Sequence, residues 1–222
     1  MIATSAAALQ VAEQHHLPAP RLIALDLDLA SLETLVPGTS DWPVGTPDSL
    51  RAAGAALTLL HSVAMSPQEH LPFRPRPIDV DDFAADRRTG SMPTTTLLAQ
   101  ADRLITAHGR PSDDTVYLHG DVWPGNLVWS GGRLAAFIDW KSAGVGAPGV
   151  DLSELRKQAA ISFGPDAPAQ VLTGWEQAAG RKALHVAYWD AVAALNTPTT
   201  LYSALATTRR NTFLHQALKN LP

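Results

Sequence analysis

Asp121, Asn126 and Asp139 carry the oxygen atoms with which this chain could do chemistry. All three lie within residues 117–151, YLHGDVWPGNLVWSGGRLAAFIDWKSAGVGAPGVD. Asp121 falls in a tight polar loop, Asn126 follows five residues later, and Asp139 ends a short apolar run. Three such side chains on two loops separated by a hairpin suit phosphoryl transfer. One carboxylate meets the acceptor hydroxyl, while an amide and a carboxylate hold Mg2+ on the phosphates. Mg2+ is a hard cation that prefers oxygen and shares few protein groups with substrate phosphates. Each residue alone has an ordinary reading: Asp121 as a turn Asp, Asn126 as a left-handed residue after Gly125, Asp139 as a strand-end cap. Their joint spacing favours a catalytic loop.

The flanking pattern supplies the elements that must position them. Residues 115–118 are β-prone, so His119-Gly120-Asp121 sits just past a strand end. Pro124-Gly125 is a turn. Leu127-Val128-Trp129 reads as a strand, Ser130-Gly131-Gly132 as a hairpin turn, and residues 134–138 as the returning strand. Pairing these strands brings Asn126 and Asp139 together. Asp151-Leu152-Ser153-Glu154 fits a capping box, with Glu154 reaching back to the cap.

The series H-G-D-x-x-x-x-N, then I-D-W, then D-L resembles the aminoglycoside phosphotransferase family, relatives of the protein kinases. The kinase signature H-R-D-L-x-x-x-N followed by D-F-G has the same arrangement, with Gly120 in place of Arg and Trp140 in place of Phe. The strong part of the resemblance covers residues 117–156, and a weaker likeness runs over 17–214. The resemblance implies that Asp121 is the catalytic base, that Asn126 and Asp139 are Mg2+ ligands, and that Asp151 braces the catalytic loop. His119 is expected to pack and hydrogen-bond in that loop. ATP is implied as co-substrate, and a small-molecule hydroxyl as acceptor: an aminoglycoside, another antibiotic, or a metabolic alcohol.

The implied architecture is a kinase-like α+β fold. Residues 1–38 would be the remnant of a small N-lobe, a helix plus two strands, ending in a hinge. Glu33, Thr34 and Leu35 lie where such folds clasp adenine. Residues 39–222 would be a mainly helical C-lobe with the catalytic β-hairpin. No Gly-rich phosphate loop and no Lys-bearing strand precede the first helix, and the position matching the family's helix Glu falls near Ser5. The chain resembles a family member that begins inside this helix, so these 222 residues are expected to bind nucleotide poorly and transfer phosphate slowly or not at all. Lys141 stands after I-D-W, where many relatives carry an acidic residue. Pointing inward, it would oppose Mg2+ and could contact phosphate; pointing outward, it would face solvent.

Composition narrows the field. A length of 222 residues and 45% hydrophobic content fit one substantial globular domain. A net charge of −4 gives no electrostatic case for nucleic acid or anionic membranes. With no cysteine, disulfides and thiolate chemistry are excluded. The first basic residue is Arg21, so the N-terminus lacks a signal peptide's charged start, and no apolar run approaches the ~18 residues of a membrane span. The expected location is cytoplasmic.

Helices are expected over 3–14, 48–63 with Asp48 as cap, 95–107, 152–162, 168–178, 184–195 and 199–218; strands over 21–27 and 31–35; a linker over 39–46; and a charged turn of helix over 81–88. Asp81, Asp82 and Asp86 read as a solvated polar loop, with attraction of a cationic acceptor as the sharper alternative. His15-His16 reads as a solvated helix end. Trp123, Trp129, Trp140, Trp175 and Trp189 read as core or cleft-wall residues. Two rival functions remain. One is a catalytically inactive kinase-like module that binds a ligand or partner. The other is a metal-dependent hydrolase using His119, Asp121 and Asp139, which lacks a second His or carboxylate cluster.

Overall fold

The computed structural model describes residues 1–40 and 46–222, so the middle of the expected 39–46 linker lies outside the described residues. Helix α1 (Ile2–Gln14) is Ala-rich, buries Ala8, Leu9, Val11 and Ala12, and ends at His15 before two prolines. His15 and His16 are exposed, as a solvated helix end requires. Strands β1 (Leu22–Asp26) and β2 (Ala30–Glu33) form an antiparallel hairpin. Helix α2 (Pro47–His61) follows. Its cap is Thr46, whose hydroxyl accepts from Ser49 N at 3.2 Å. Asp48 is therefore not the cap. Pro47 takes the first helical position, where no N–H is needed, and moves the start forward by one residue. Asp48 pairs instead with Arg51 at 2.7 Å.

The charged turn forms as α3 (Phe83–Thr89), capped by Asp82, which accepts from Ala85 N at 2.9 Å. Helix α4 (Thr96–His108) is capped by Thr95. Strands β3 (Val116–Leu118), β4 (Leu127–Ser130), β5 (Arg133–Phe137) and β6 (Gly144–Gly146) precede four helices: α5 (Gly149–Phe163), α6 (Ala167–Ala179), α7 (Val186–Leu195) and α8 (Ala204–Lys219). β4 and β5 pair antiparallel around Gly131-Gly132, both at positive φ, as a tight hairpin turn demands.

β6 was not expected, because Gly-Val-Gly has little strand propensity. Its neighbours make it: it pairs antiparallel with β3, while Val145 N donates to Pro72 O at 2.9 Å and Val145 O accepts from Arg74 N at 2.8 Å. Helix α7 begins two residues later than expected and α8 five residues later, at caps His185 and Ser203.

The core lies where α2, α5 and α6 meet the catalytic strands. Leu50, Leu57, Leu60, Tyr117, Val122, Phe137, Trp140, Leu155, Val171 and Trp175 are buried there together. Each large apolar side chain so buried contributes about 1.5–3 kcal/mol. α1 and the segment after it are bonded to the same centre: Tyr117 donates its hydroxyl proton to Ala8 O in α1 at 2.9 Å, and Phe137 N donates to Pro18 O beyond the helix at 2.8 Å. A second core of Leu98, Ala101, Ala191, Leu195, Phe213 and Leu214 holds α4, α7 and α8 together. No helix among the described residues is long and apolar enough to cross a membrane.

Candidate active site

β3 delivers the chain into His119-Gly120-Asp121, and the first requirement there is somewhere for the turning backbone amides to donate. Asp151 provides it: Oδ2 accepts from His119 N and Oδ1 from Gly120 N, both at 2.8 Å. This carboxylate is fully buried and sits inside the first turn of α5. The capping box is thereby corrected. The helix starts at Gly149, Asp151 spends both oxygens on another loop, and Glu154 pairs with Lys157 at 2.7 Å and accepts from Gln158 at 2.9 Å. Gly120 has φ of 80°, and a Cβ there would meet Ser142 O at 2.1 Å, so only glycine fits.

His119 joins this loop to the next. Its Nδ1 accepts from Asp121 N at 3.3 Å, which leaves the Nε2 proton for Ile138 O at 2.9 Å. The tautomer follows from these partners. Burial lowers its pKa, opposed by Asp151, so the ring stays neutral. It packs on Trp140 with centroids 4.6 Å apart. Both nitrogens are engaged, so His119 fastens the loop and has no lone pair left to act as a base.

Asn126 closes a 3-10 turn, Pro124–Asn126, and is buried. Its Nδ2 donates to Asp121 O at 2.9 Å, and its backbone O accepts from Ile138 N at 3.0 Å. That arrangement leaves Oδ1 for an electrophile. The register Leu127↔Phe137 sets Asn126 and Ile138 side by side at the open end of the hairpin, with Asp139 next in the chain. Asp139 has φ of 63°, a left-handed conformation that Asp tolerates better than most residues. Its side chain is partly exposed, and Oδ2 takes Lys141 Nζ at 2.6 Å. An amide oxygen and a carboxylate fit a Mg2+ ion that shares its shell with phosphates and water. Among the described residues no group of three or more His, Cys, Asp or Glu is placed to hold a metal, so the hydrolase alternative finds no ligand set there.

Asp121 is only 7% exposed, and its pKa is pushed up to about 6. Desolvation is the main cause, followed by the negative charge of Glu154; Lys141 opposes the rise, Asp139 adds to it, and Lys157 opposes it. A carboxyl that exchanges its proton near neutral pH is matched to work as a general base.

Three supporting residues had no motif to announce them. His61, at the end of α2, accepts from Trp175 Nε1 at 2.9 Å and directs Nε2 toward Asp151 Oδ2 at 3.5 Å. Ile78 donates its backbone N–H to Gly120 O at 2.7 Å while holding φ of 50°, a strained value for a β-branched residue. Asn196 supports that strain by donating Nδ2 to Pro77 O at 2.6 Å and Ile78 O at 3.3 Å. Residues 72–78 are proline-rich, which suits an extended segment, but no motif in them says what they cross.

The other sequence-derived candidates are distributed as follows. Asp82 caps α3 and pairs with Arg76 at 3.4 Å, Asp86 lies in the first turn of that helix, and Asp81 is exposed just before it, so the cluster marks a helix start and not a loop. Thr34 brackets Arg21, with its N donating to Arg21 O and its hydroxyl accepting from Arg21 N, each at 2.9 Å. Glu33 accepts from the Ser31 hydroxyl at 3.1 Å, and Leu35 is 92% exposed. No described bond joins these three hinge candidates to the Asp121 cluster. Trp129, Trp140, Trp175 and Trp189 are buried, whereas Trp123 is 44% exposed beside Asp121. A cavity of about 850 Å³ between α5, α6, α7 and α8 includes Arg156, Asp190 and Tyr188 in its lining, but none of Asp121, Asn126 or Asp139.

Comparison with known proteins follows the same lines. The model of the phosphotransferase enzyme family matches residues 2–195. No curated protein matches the chain. Among solved structures, a macrolide 2'-phosphotransferase from Brachybacterium faecium superposes with a TM-score of 0.62 at 21% identity, over 99% of this chain and 80% of the other. An aminoglycoside phosphotransferase from Streptomyces rimosus gives 0.60 at 18%, over 87% and 80%. An amicoumacin kinase, solved with AMP-PNP, Ca2+ and its antibiotic, gives 0.62 at 12%, over 99% and 77%. At these identities the likeness is one of fold.

Proposed function

The chain belongs to the phosphotransferase enzyme family, and from that premise we propose that it phosphorylates a hydroxyl group of a small molecule with Mg-ATP in the cytoplasm. The observation that carries this reading is the bonding between the two loops. Asp151 holds the amides of His119 and Gly120, His119 holds Ile138, and Asn126 holds the Asp121 carbonyl. These bonds gather Asp121, Asn126 and Asp139 into one cluster, as phosphoryl transfer needs.

In the proposed reaction the acceptor oxygen attacks the γ-phosphorus of ATP, the bond from phosphorus to the β,γ-bridging oxygen breaks, and ADP leaves. Asp121 orients the hydroxyl and takes its proton as the new P–O bond forms. Asn126 Oδ1 and the Asp139 carboxylate would hold Mg2+, which neutralises charge on the phosphates when bound. His119, Asp151 and Ile78 act at one remove, by fixing the backbone on either side of Asp121. Residues 1–38, with Glu33, Thr34 and Leu35 at their end, would face the adenine, and residues 39–222 would carry the chemistry. The acceptor class is an antibiotic or a metabolic alcohol, because acceptor pockets vary within one fold.

The test is incubation of the protein with Mg-ATP and a panel of amino sugars, macrolides and amino alcohols, followed by 31P NMR. A phosphomonoester resonance that needs both ATP and one acceptor, and that accumulates slowly because these 222 residues hold no Gly-rich phosphate loop or phosphate-binding Lys before α1, is the expected result. ADP formation without any phosphorylated acceptor, or no turnover at all at high enzyme concentration, would favour the inactive binding module instead.

A further inference from the structure

Lys141 is the residue of this site with no place in the reaction just described. Asp139 adopts the left-handed region, and the chain then turns through a short 3-10 segment, Trp140–Ser142. That turn folds the side chain two residues on back over the carboxylate. Lys141 Nζ reaches Asp139 Oδ2 at 2.6 Å, with both side chains 41% exposed. Trp140 is buried against Tyr117 and His119, so the turn has no freedom to carry Lys141 elsewhere without unpacking the core. The ammonium also lies close enough to Asp121 for each charge to influence the other.

An ammonium at that distance takes the oxygen lone pair that a divalent ion would use, and two cations cannot share it closely. We propose that Lys141 is a built-in counter-ion that competes with the divalent metal for Asp139, so that the metal is taken up mainly when phosphates arrive with it. The long lysine stem permits the exchange: the ammonium can swing off the carboxylate and onto incoming phosphate oxygens, which would free Asp139 Oδ2 for the ion. Metal without nucleotide would find Asp139 already paired. The proposal rests on the reading of Asp139 as a metal ligand, and the experiment separates the two.

Mn2+ alone, followed by electron paramagnetic resonance of the free ion, is titrated into the wild-type protein and into Lys141→Met, Lys141→Arg, Asp139→Ala and Asp139→Ala/Lys141→Met. Lys141 is partly exposed, so its replacement should leave the fold intact, as thermal melts can verify. Lys141→Met is expected to tighten Mn2+ about two- to fivefold, the worth of one exposed ion pair, with Lys141→Arg remaining near wild type. The gain should shrink at 1 M salt, where the pair is screened. Asp139→Ala should weaken Mn2+ and abolish the effect of the lysine. Unchanged Mn2+ affinity in Lys141→Met, with a loss in Asp139→Ala, would overturn the competition and leave the ligand intact. Unchanged affinity in Asp139→Ala would overturn both.

Discussion

At the scale of single residues, Asp121 combines two properties that oppose each other. Its carboxylate must be ionised to accept a proton, yet burial and Glu154 resist ionisation and raise its pKa to about 6. Two outcomes follow. The kcat/KM of the free enzyme should climb as pH rises toward about 6 and level off above it, because the base is then deprotonated. Stability should run the other way. A folded-state pKa above the ordinary 3.8 stabilises the fold fully only below that value, and the contribution is lost as pH rises through about 6. Asp121→Asn carries no charge to desolvate, so at pH 8 it should stabilise the protein by up to about 3 kcal/mol, and by close to nothing at pH 4. Urea unfolding at the two pH values measures this; an equal change at both would mean that desolvation is not what shifts the carboxyl. Sequence reasoning named Asp121, Asn126, Asp139, His119 and Asp151 because a spaced motif carries them. His61, Ile78 and Asn196 escaped because long-range packing brings them in, and no local pattern records that.

At the scale of elements, the site is two loops held in register by buried bonds. The β4–β5 hairpin was legible from Ser130-Gly131-Gly132 set between two apolar runs, and α4 was expected over 95–107. The start of α2 was misplaced by one residue, because Thr46-Pro47 and Asp48 offer competing caps and Pro47 settles it by fixing the first turn. β6 was illegible because its partners, not its own residues, make it a strand. The capping box at Asp151 failed for a related reason: tertiary donors outbid the local ones. Asp151→Ala should therefore cost about 2–5 kcal/mol, since it strands the amides of His119 and Gly120 in the core and removes the group that His61 faces. A loss below about 1 kcal/mol in urea unfolding would show that water or a shifted backbone replaces the brace.

At the scale of the whole molecule, the chain is a kinase-like fold in which helices dominate and short strands serve the site. Binary pattern showed this mixed architecture, and the motif showed which fold it was. Packing between elements was out of reach, including the cavity between α5 and α8 and the way residues 72–78 cross the catalytic loop. The β1–β2 hairpin differs from the rest of the surface. Ile23, Leu25, Leu27, Leu29 and Leu32 are 39–78% exposed on a sheet of two strands. Bare strand edges with apolar side chains promote association. Leu29→Lys with Leu32→Lys should change unfolding stability by no more than about 0.5 kcal/mol per site while reducing light scattering on concentration. A large loss of stability would mean that these leucines pack in solution.

The central claim is that Asp121 accepts the proton of an attacking hydroxyl, and single-turnover phosphoryl transfer tests it most directly. With enzyme in excess over γ-labelled Mg-ATP and saturating acceptor, slow transfer remains visible. Asp121→Asn should slow label transfer to the acceptor by about a hundredfold or more while leaving the Kd for Mg-nucleotide within about twofold, since general base catalysis supplies roughly that factor and the base touches no phosphate. Transfer by Asp121→Asn at the wild-type rate would contradict the account.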